Sequence, residues 1–158
     1  MISVAPATID DIPVLCSLLL VLFNQEAEFS ADKNLQSQGL EMIISEPSMG
    51  VILVAKDTRG EICGMINLLY TVSTFLGSKV CTLEDMVVFP DVRGNGVGSI
   101  LIKSAVEKAK SEGCKRITLL TDKSNLAAQR FYESQGFRLS TMLPMRLYLE
   151  QSESVCYA

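Results

Sequence analysis

No histidine occurs anywhere in the 158 residues. Its absence removes the commonest general base and the serine–histidine and cysteine–histidine nucleophile pairs. Acid–base chemistry is left to carboxylates, tyrosine, lysine or cysteine. Tryptophan is absent too, and the 14 Lys and Arg residues form no basic stripe against 18 Asp and Glu. The net charge of −4 argues against a nucleic-acid partner, and it suits a solubilising surface or a cationic substrate. No apolar run reaches the roughly 18 residues of a membrane span; the longest, Val14 to Phe23, is broken by Cys16 and Ser17. The opening MISVAPATIDD lacks the basic start of a signal peptide. A soluble cytoplasmic protein with no membrane partner is expected. Five cysteines, Cys16, Cys63, Cys81, Cys114 and Cys156, are an odd number without close spacing. Neither a disulfide framework nor a structural metal site is expected from them.

What the chain does contain is a mixed α/β pattern of single-domain length. Ile2 to Ala5 reads as a strand. Thr8 reads as a helix cap, and Ile9, Ile12, Leu15, Leu19, Leu22 and Phe23 recur at helical spacing to about Gln25. A second helix is predicted from about Leu35 to Ser45, ended by Pro47. Val51 to Lys56, Ile62 to Val72 and Val80 to Phe89 follow as strands separated by turns at Gly60 and Gly77, the last stopped by Pro90. Ile100 to Ser111 is helical and ends before Gly113, Arg116 to Thr121 is a short strand, and Leu126 to Gln135 is a helix closed by Gly136. Phe137 to Leu139 and Met145 to Leu149 are the last strand candidates. Residues 1–150 form one domain in this reading, and 151–158 a polar tail. The order predicts a mixed, largely antiparallel sheet flanked by helices. It is not the strict alternation of a doubly wound dinucleotide fold.

The stretch VRGNGVGS, residues 92 to 99, lies between a predicted strand and a predicted helix. Glycines at 94, 96 and 98 permit a tight turn and close approach of a ligand. Free N–H groups and the dipole at a helix start favour an anion there. The residue types alone leave a phosphate site and a plain tight turn equally open. Ser99 stands where the third glycine of G-x-G-x-x-G would be, and no acidic residue follows at the ribose-reading distance, so a nucleotide-binding oxidoreductase is a distant alternative.

Arg93-x-x-Gly96-x-Gly98 resembles the acyl-CoA-binding signature of the GNAT N-acetyltransferases. The likeness continues through LEDMVVFPDVRGNGVG, which is similar to the family's fourth strand and pyrophosphate loop, and NLAAQRFYESQGF, which is similar to its second signature. It covers Ile2 to Glu150, and the LED stretch resembles polyamine and glucosamine-phosphate acetyltransferases. The resemblance implies the acyl-CoA N-acyltransferase fold, acetyl-CoA as donor, and no metal. In the family the fourth and fifth strands splay apart around the pantetheine arm. By that likeness Met86, Val87 and Val88 would offer backbone groups to the acetyl group and pantetheine. Arg93, Gly94, Asn95, Gly96, Val97, Gly98 and Ser99 would wrap the pyrophosphate. Asn125 would reach the pantetheine, Phe131 would wall the site, and Tyr132 would point at the sulfur.

The reaction so implied is direct attack of an amine on a thioester. A phenol, with its ordinary pKa of about 10, can protonate the departing thiolate, which makes Tyr132 the candidate acid; the alternative is packing. Glu84 is the candidate base, acting through water, with a salt bridge as the alternative and Asp85 as the second choice. Strict alternation would put Thr82, Glu84, Met86 and Val88 on one face and Asp85 with Val87 on the other. Glu26 and Glu28, with Glu84 and Asp85, would meet a cationic acceptor. A small primary amine is the first choice of acceptor, and a protein N-terminus or lysine the second. A non-catalytic CoA-binding sensor is an alternative of another class. The family also admits a homodimer, although no segment specifies an interface.

Overall fold

Thr8 opens the first helical segment. Its N–H donates to Asp11 Oδ2 at 2.8 Å while the Asp11 N–H returns to the Thr8 carbonyl at 3.0 Å, a reciprocal cap that satisfies donors a helix start leaves bare. One 3₁₀ turn, Ile9–Asp11, leads into helix α1, Ile12–Gln25. Leu15, Cys16, Leu18 and Leu19 form its buried face. Helix α2, Lys33–Ser45, begins two residues before the predicted Leu35. The reason is Asp32, whose Oδ1 accepts from Asn34 N at 2.9 Å and Leu35 N at 3.2 Å. The computed structural model describes residues 1–25 and 32–150.

Strands β1 (Ser3–Pro6), β2 (Gly50–Lys56), β3 (Ile62–Ser73), β4 (Ser78–Val88) and β5 (Ile117–Leu119) form one sheet in that order. The first four pair antiparallel, and β5 joins β4 in parallel. Helix α3, Val97–Ser111, makes the crossover that a parallel pair requires. On one face of the sheet, Ile52, Val54, Met65 and Val87 pack with Leu15, Leu18, Leu19 and Leu40 of α1 and α2. α3 turns Leu101, Ile102, Ala105 and Ala109 inward. A Cβ on Gly64 would meet Leu101 Cδ1 and the Val87 carbonyl, each at 3.1 Å, so glycine there lets α3 approach β3.

The chain divides into two compact units, Met1–Leu120 and Thr121–Ala158. All of the above belongs to the first. The described part of the second holds helix α4, Leu126–Ser134, capped by Asn125. It contains no strand at Phe137–Leu139 or Met145–Leu149, contrary to the sequence reading. Met145, Leu147 and Leu149 do alternate with Arg146, Tyr148 and Glu150, which is the pattern that suggests a strand. They stand 81–95% exposed, and a strand exists only where a neighbour completes its ladder. The predicted tail, 151–158, lies outside the described residues.

Candidate active site

Strand β4 carries one residue too many. Leu83 lies opposite Leu68 and Met86 opposite Ile66, so Glu84 and Asp85 together face the single residue Asn67. Such a bulge reverses the alternation beyond it. Leu83, Met86 and Val88 therefore share a face, and Val87 lies on the other with Met65. The predicted grouping of Thr82 and Glu84 with Met86 and Val88 is corrected by this insertion. Asp85 turns toward Asn67, whose Nδ2 donates to Asp85 Oδ2 at 3.3 Å. Glu84 is exposed and forms no ion pair within the first unit's described residues. The β4–β5 ladder ends at Leu83 and Leu119, where the bulge begins, while β4 runs on to Val88.

After Val88 the chain makes a short 3₁₀ turn, Pro90–Val92, and then the glycine loop. Gly94 and Gly96 have φ of +80° and +78°, a region in which only glycine is at ease. A Cβ on either would meet nothing within 4 Å, so open space lies over the backbone. Arg93 Nε donates to the Val88 carbonyl at 3.1 Å, and Asn95 Nδ2 to the Val92 carbonyl at 3.2 Å. With its amide oxygen turned toward the guanidinium, Gln25 accepts from Arg93 Nη2 at 2.7 Å and Nη1 at 3.2 Å. Gly96 caps α3, and Val97, Gly98 and Ser99 are its first three residues. The first bond back into the helix runs from Ile100 N to Gly96 O at 3.1 Å. Earlier amides have no helical carbonyl to meet, and with the dipole they suit an anion.

In the second unit, Asn125 Oδ1 accepts from Ala128 N at 3.0 Å, so that oxygen serves as the helix cap. Tyr132 packs edge-on against Phe131 and Phe137, with ring centroids 5.3 and 5.7 Å away. Burial pushes its phenol above the ordinary range.

The profile of the GNAT acetyltransferase family matches residues 16–137. The chain belongs to this family. The acetyltransferase is 33% identical over 123 residues to an uncharacterized N-acetyltransferase, YhfO, of Bacillus subtilis strain 168, covering 76% of this chain and 81% of that one. It is 27% identical over 134 residues to the aminoalkylphosphonate N-acetyltransferase of Salmonella typhimurium, covering 85% and 83%. The solved structure of a possible acetyltransferase from Clostridium difficile 630 superposes with a TM-score of 0.86 over 96% of this chain and 99% of that one; at 16% identity this likeness speaks for the fold alone. The mixed five-stranded sheet is the acyl-CoA N-acyltransferase fold that the resemblance implied.

Within the acetyltransferase's first unit, chain continuity brings Glu84, Asp85, Met86, Val87 and Val88 directly before the loop from Arg93 to Ser99. Asn125, Phe131 and Tyr132 gather on α4. Glu26 and Glu28 lie outside the described residues. Asn67, opposite the bulge, is a residue that sequence reasoning did not single out. The available signal was a lone amide inside an otherwise apolar run, Met65 to Leu69. Cys81 is buried, and burial, with Cys114 beside it, pushes its thiol up to about 12. No thiolate nucleophile forms there near neutral pH. A cleft of about 550 Å³, lined by Asp10, Asp11, Asp57, Glu61 and Asp91 among others, includes none of the predicted site residues. Among the described residues no helix is long and apolar enough to cross a membrane, and no group of three or more Cys, Asp or Glu side chains is placed to hold a metal ion.

Proposed function

We propose that this acetyltransferase moves the acetyl group of acetyl-CoA directly to a primary amine of a small cationic acceptor. The observation that carries the reading is the bulge, which sets two carboxylates, Glu84 and Asp85, where the β4–β5 ladder ends. Backbone N–H groups of β4 beyond that point, at Met86 to Val88, are the proposed donors to the thioester oxygen as it becomes an oxyanion. The loop Arg93–Ser99 fits a pyrophosphate because its glycines leave the backbone open and α3 begins there. Arg93 is tied to Val88 and Gln25, which supports contact with phosphate through the loop backbone.

In the proposed reaction Glu84, through a water, takes a proton from the ammonium. The freed nitrogen bonds to the carbonyl carbon and the carbon–sulfur bond breaks. Tyr132 protonates the thiolate, the second proton shed by the nitrogen returns through water to the phenolate, and Asn125 and Phe131 serve the pantetheine arm. The burial of Tyr132 supports its part, because a phenol held above its ordinary pKa keeps its proton at neutral pH. The Salmonella relative is named for an aminoalkylphosphonate, a small molecule that bears an amine beside an anionic phosphonate; the amine on a small molecule favours such a substrate over a protein, while the cationic character rests on Glu84 and Asp85. Glu26 and Glu28 would add negative charge to the acceptor's approach. The test is a screen of amines, alcohols and peptides that reads free CoA thiol. Polyamines and other small cationic amines should release the most thiol. Preference for neutral or anionic acceptors would reject the charge argument, and no release from any amine would reject transfer altogether.

A further inference from the structure

Asn67 is the one buried polar residue among the described residues, at 2% exposure. It sits on the α1–α2 side of the sheet in register with Ile52, where its neighbours are apolar. Its orientation is set by Asp85. A carboxylate only accepts, so the amide must turn its NH₂ group toward Asp85 Oδ2, as it does at 3.3 Å. Asn67 Oδ1 then has no hydrogen-bond partner and is closed to solvent. A buried carbonyl oxygen without a donor is unfavourable and uncommon. The oxygen lacks a donor, and an N–H brought up beside the Asp85 carboxylate would supply one.

Resting on the proposed transfer to an amine, we propose that Asn67 Oδ1 and the Asp85 carboxylate together bind the reacting nitrogen of the acceptor and select for a primary amine. A primary ammonium offers three N–H groups, one for each of these oxygens and one to lose to the base. Once deprotonated it still has two N–H groups for the pair, and its lone pair is free for the thioester carbon. An N-methyl amine after deprotonation has one N–H, and an alcohol has one O–H. Either leaves one of the two oxygens bare. Asn67 thus reads the number of hydrogens on the nitrogen, and Asp85 reads its charge.

The experiment compares wild type, Asn67→Leu, Asp85→Asn and the double variant. Its probes are the most active primary amine of the thiol-release screen and that amine's N-methyl counterpart. Asn67→Leu should hold or raise Tm and leave CoA affinity unchanged. It should raise KM for the primary amine tenfold or more and bring the primary-to-N-methyl ratio of kcat/KM toward one. The losses of the double variant should be less than multiplicative, because the two oxygens act on one nitrogen. A lowered Tm with KM and the substrate ratio unchanged would make Asn67 a structural strut and overturn the inference. If Asn67→Leu does not fold, Asn67→Ser, which is small and polar, carries the same kinetic comparison. Thiol release by the wild type with unaltered selectivity in the variants overturns this inference alone. No release by the wild type with any amine overturns the underlying reading and this inference together.

Discussion

Arg93 Nε donates to the Val88 carbonyl across 3.1 Å, so the first side chain of the glycine loop holds the last residue of β4. The guanidinium is spent on the protein, at Val88 and Gln25, and its planar fork serves both at once. Arg93→Ala should weaken CoA binding about tenfold by loosening the loop, and Arg93→Lys should recover little of it. Calorimetry over a range of salt concentrations checks this. The salt dependence of CoA affinity should be the same in wild type and variant; a shallower slope in Arg93→Ala would mean that the side chain pairs with phosphate directly.

Gly96 has φ of +78° at the cap of α3. Open space surrounds its Cβ position, so a substitution there acts through the backbone and through any ligand over it. Gly96→Val should lose about 1–2 kcal/mol of stability from the left-handed conformation and bind CoA much more weakly. Thermal melts without and with CoA separate the two effects. Unchanged CoA affinity would remove the loop from the binding site.

Tyr132→Phe keeps the ring against Phe131 and Phe137 but removes the proton. kcat should fall by about 10²–10⁴-fold while CoA affinity persists. The phenol's pKa is raised by burial, so the acid form should persist in the folded enzyme beyond pH 10. The sign of the stability effect follows. Tyr132, and Tyr70 with its phenol pushed up to about 12 by burial, hold their protons more tightly folded than unfolded. Neither alters stability below about pH 10. Above that, the unfolded chain ionises first and stability falls. Melting temperature against pH should be flat to these groups through neutrality and decline above pH 10.

Glu84→Gln should lower kcat most near neutral pH and less at alkaline pH, where the acceptor amine is already free of its proton. A pH–rate profile identical to that of the wild type would transfer the base role to Asp85 or to water.

The Thr8 cap and the glycine turns were legible in the sequence, whereas the Asp32 cap of α2 was not. Thr8 three residues before Asp11, and the glycines at 94 and 96, announce their geometry by residue type. The order of elements through β5 was legible too, because hydrophobic period and turn residues agree there. The bulge was not. TLEDMVV reads as plain alternation whether or not a residue is extra, since register is decided by the partner strand. Asn67 was hidden for the same reason: its significance lies in facing Glu84 and Asp85 across the sheet. The segment from Met145 to Leu149 misled in the opposite direction, because its alternation is real but no ladder completes it among the described residues.

The extra residue in β4 ties the chemistry of this protein to its heritability. A single-codon deletion of Glu84 or Asp85 would do more than remove one carboxylate. It would restore strict alternation and turn one half of the strand over, carrying Val87 out of the hydrophobic core or Cys81 and Leu83 out of their buried positions. A lineage could replace either acid by point mutation and still fold. It could not lose the position itself and keep the core, so the insertion should outlast the acids that occupy it.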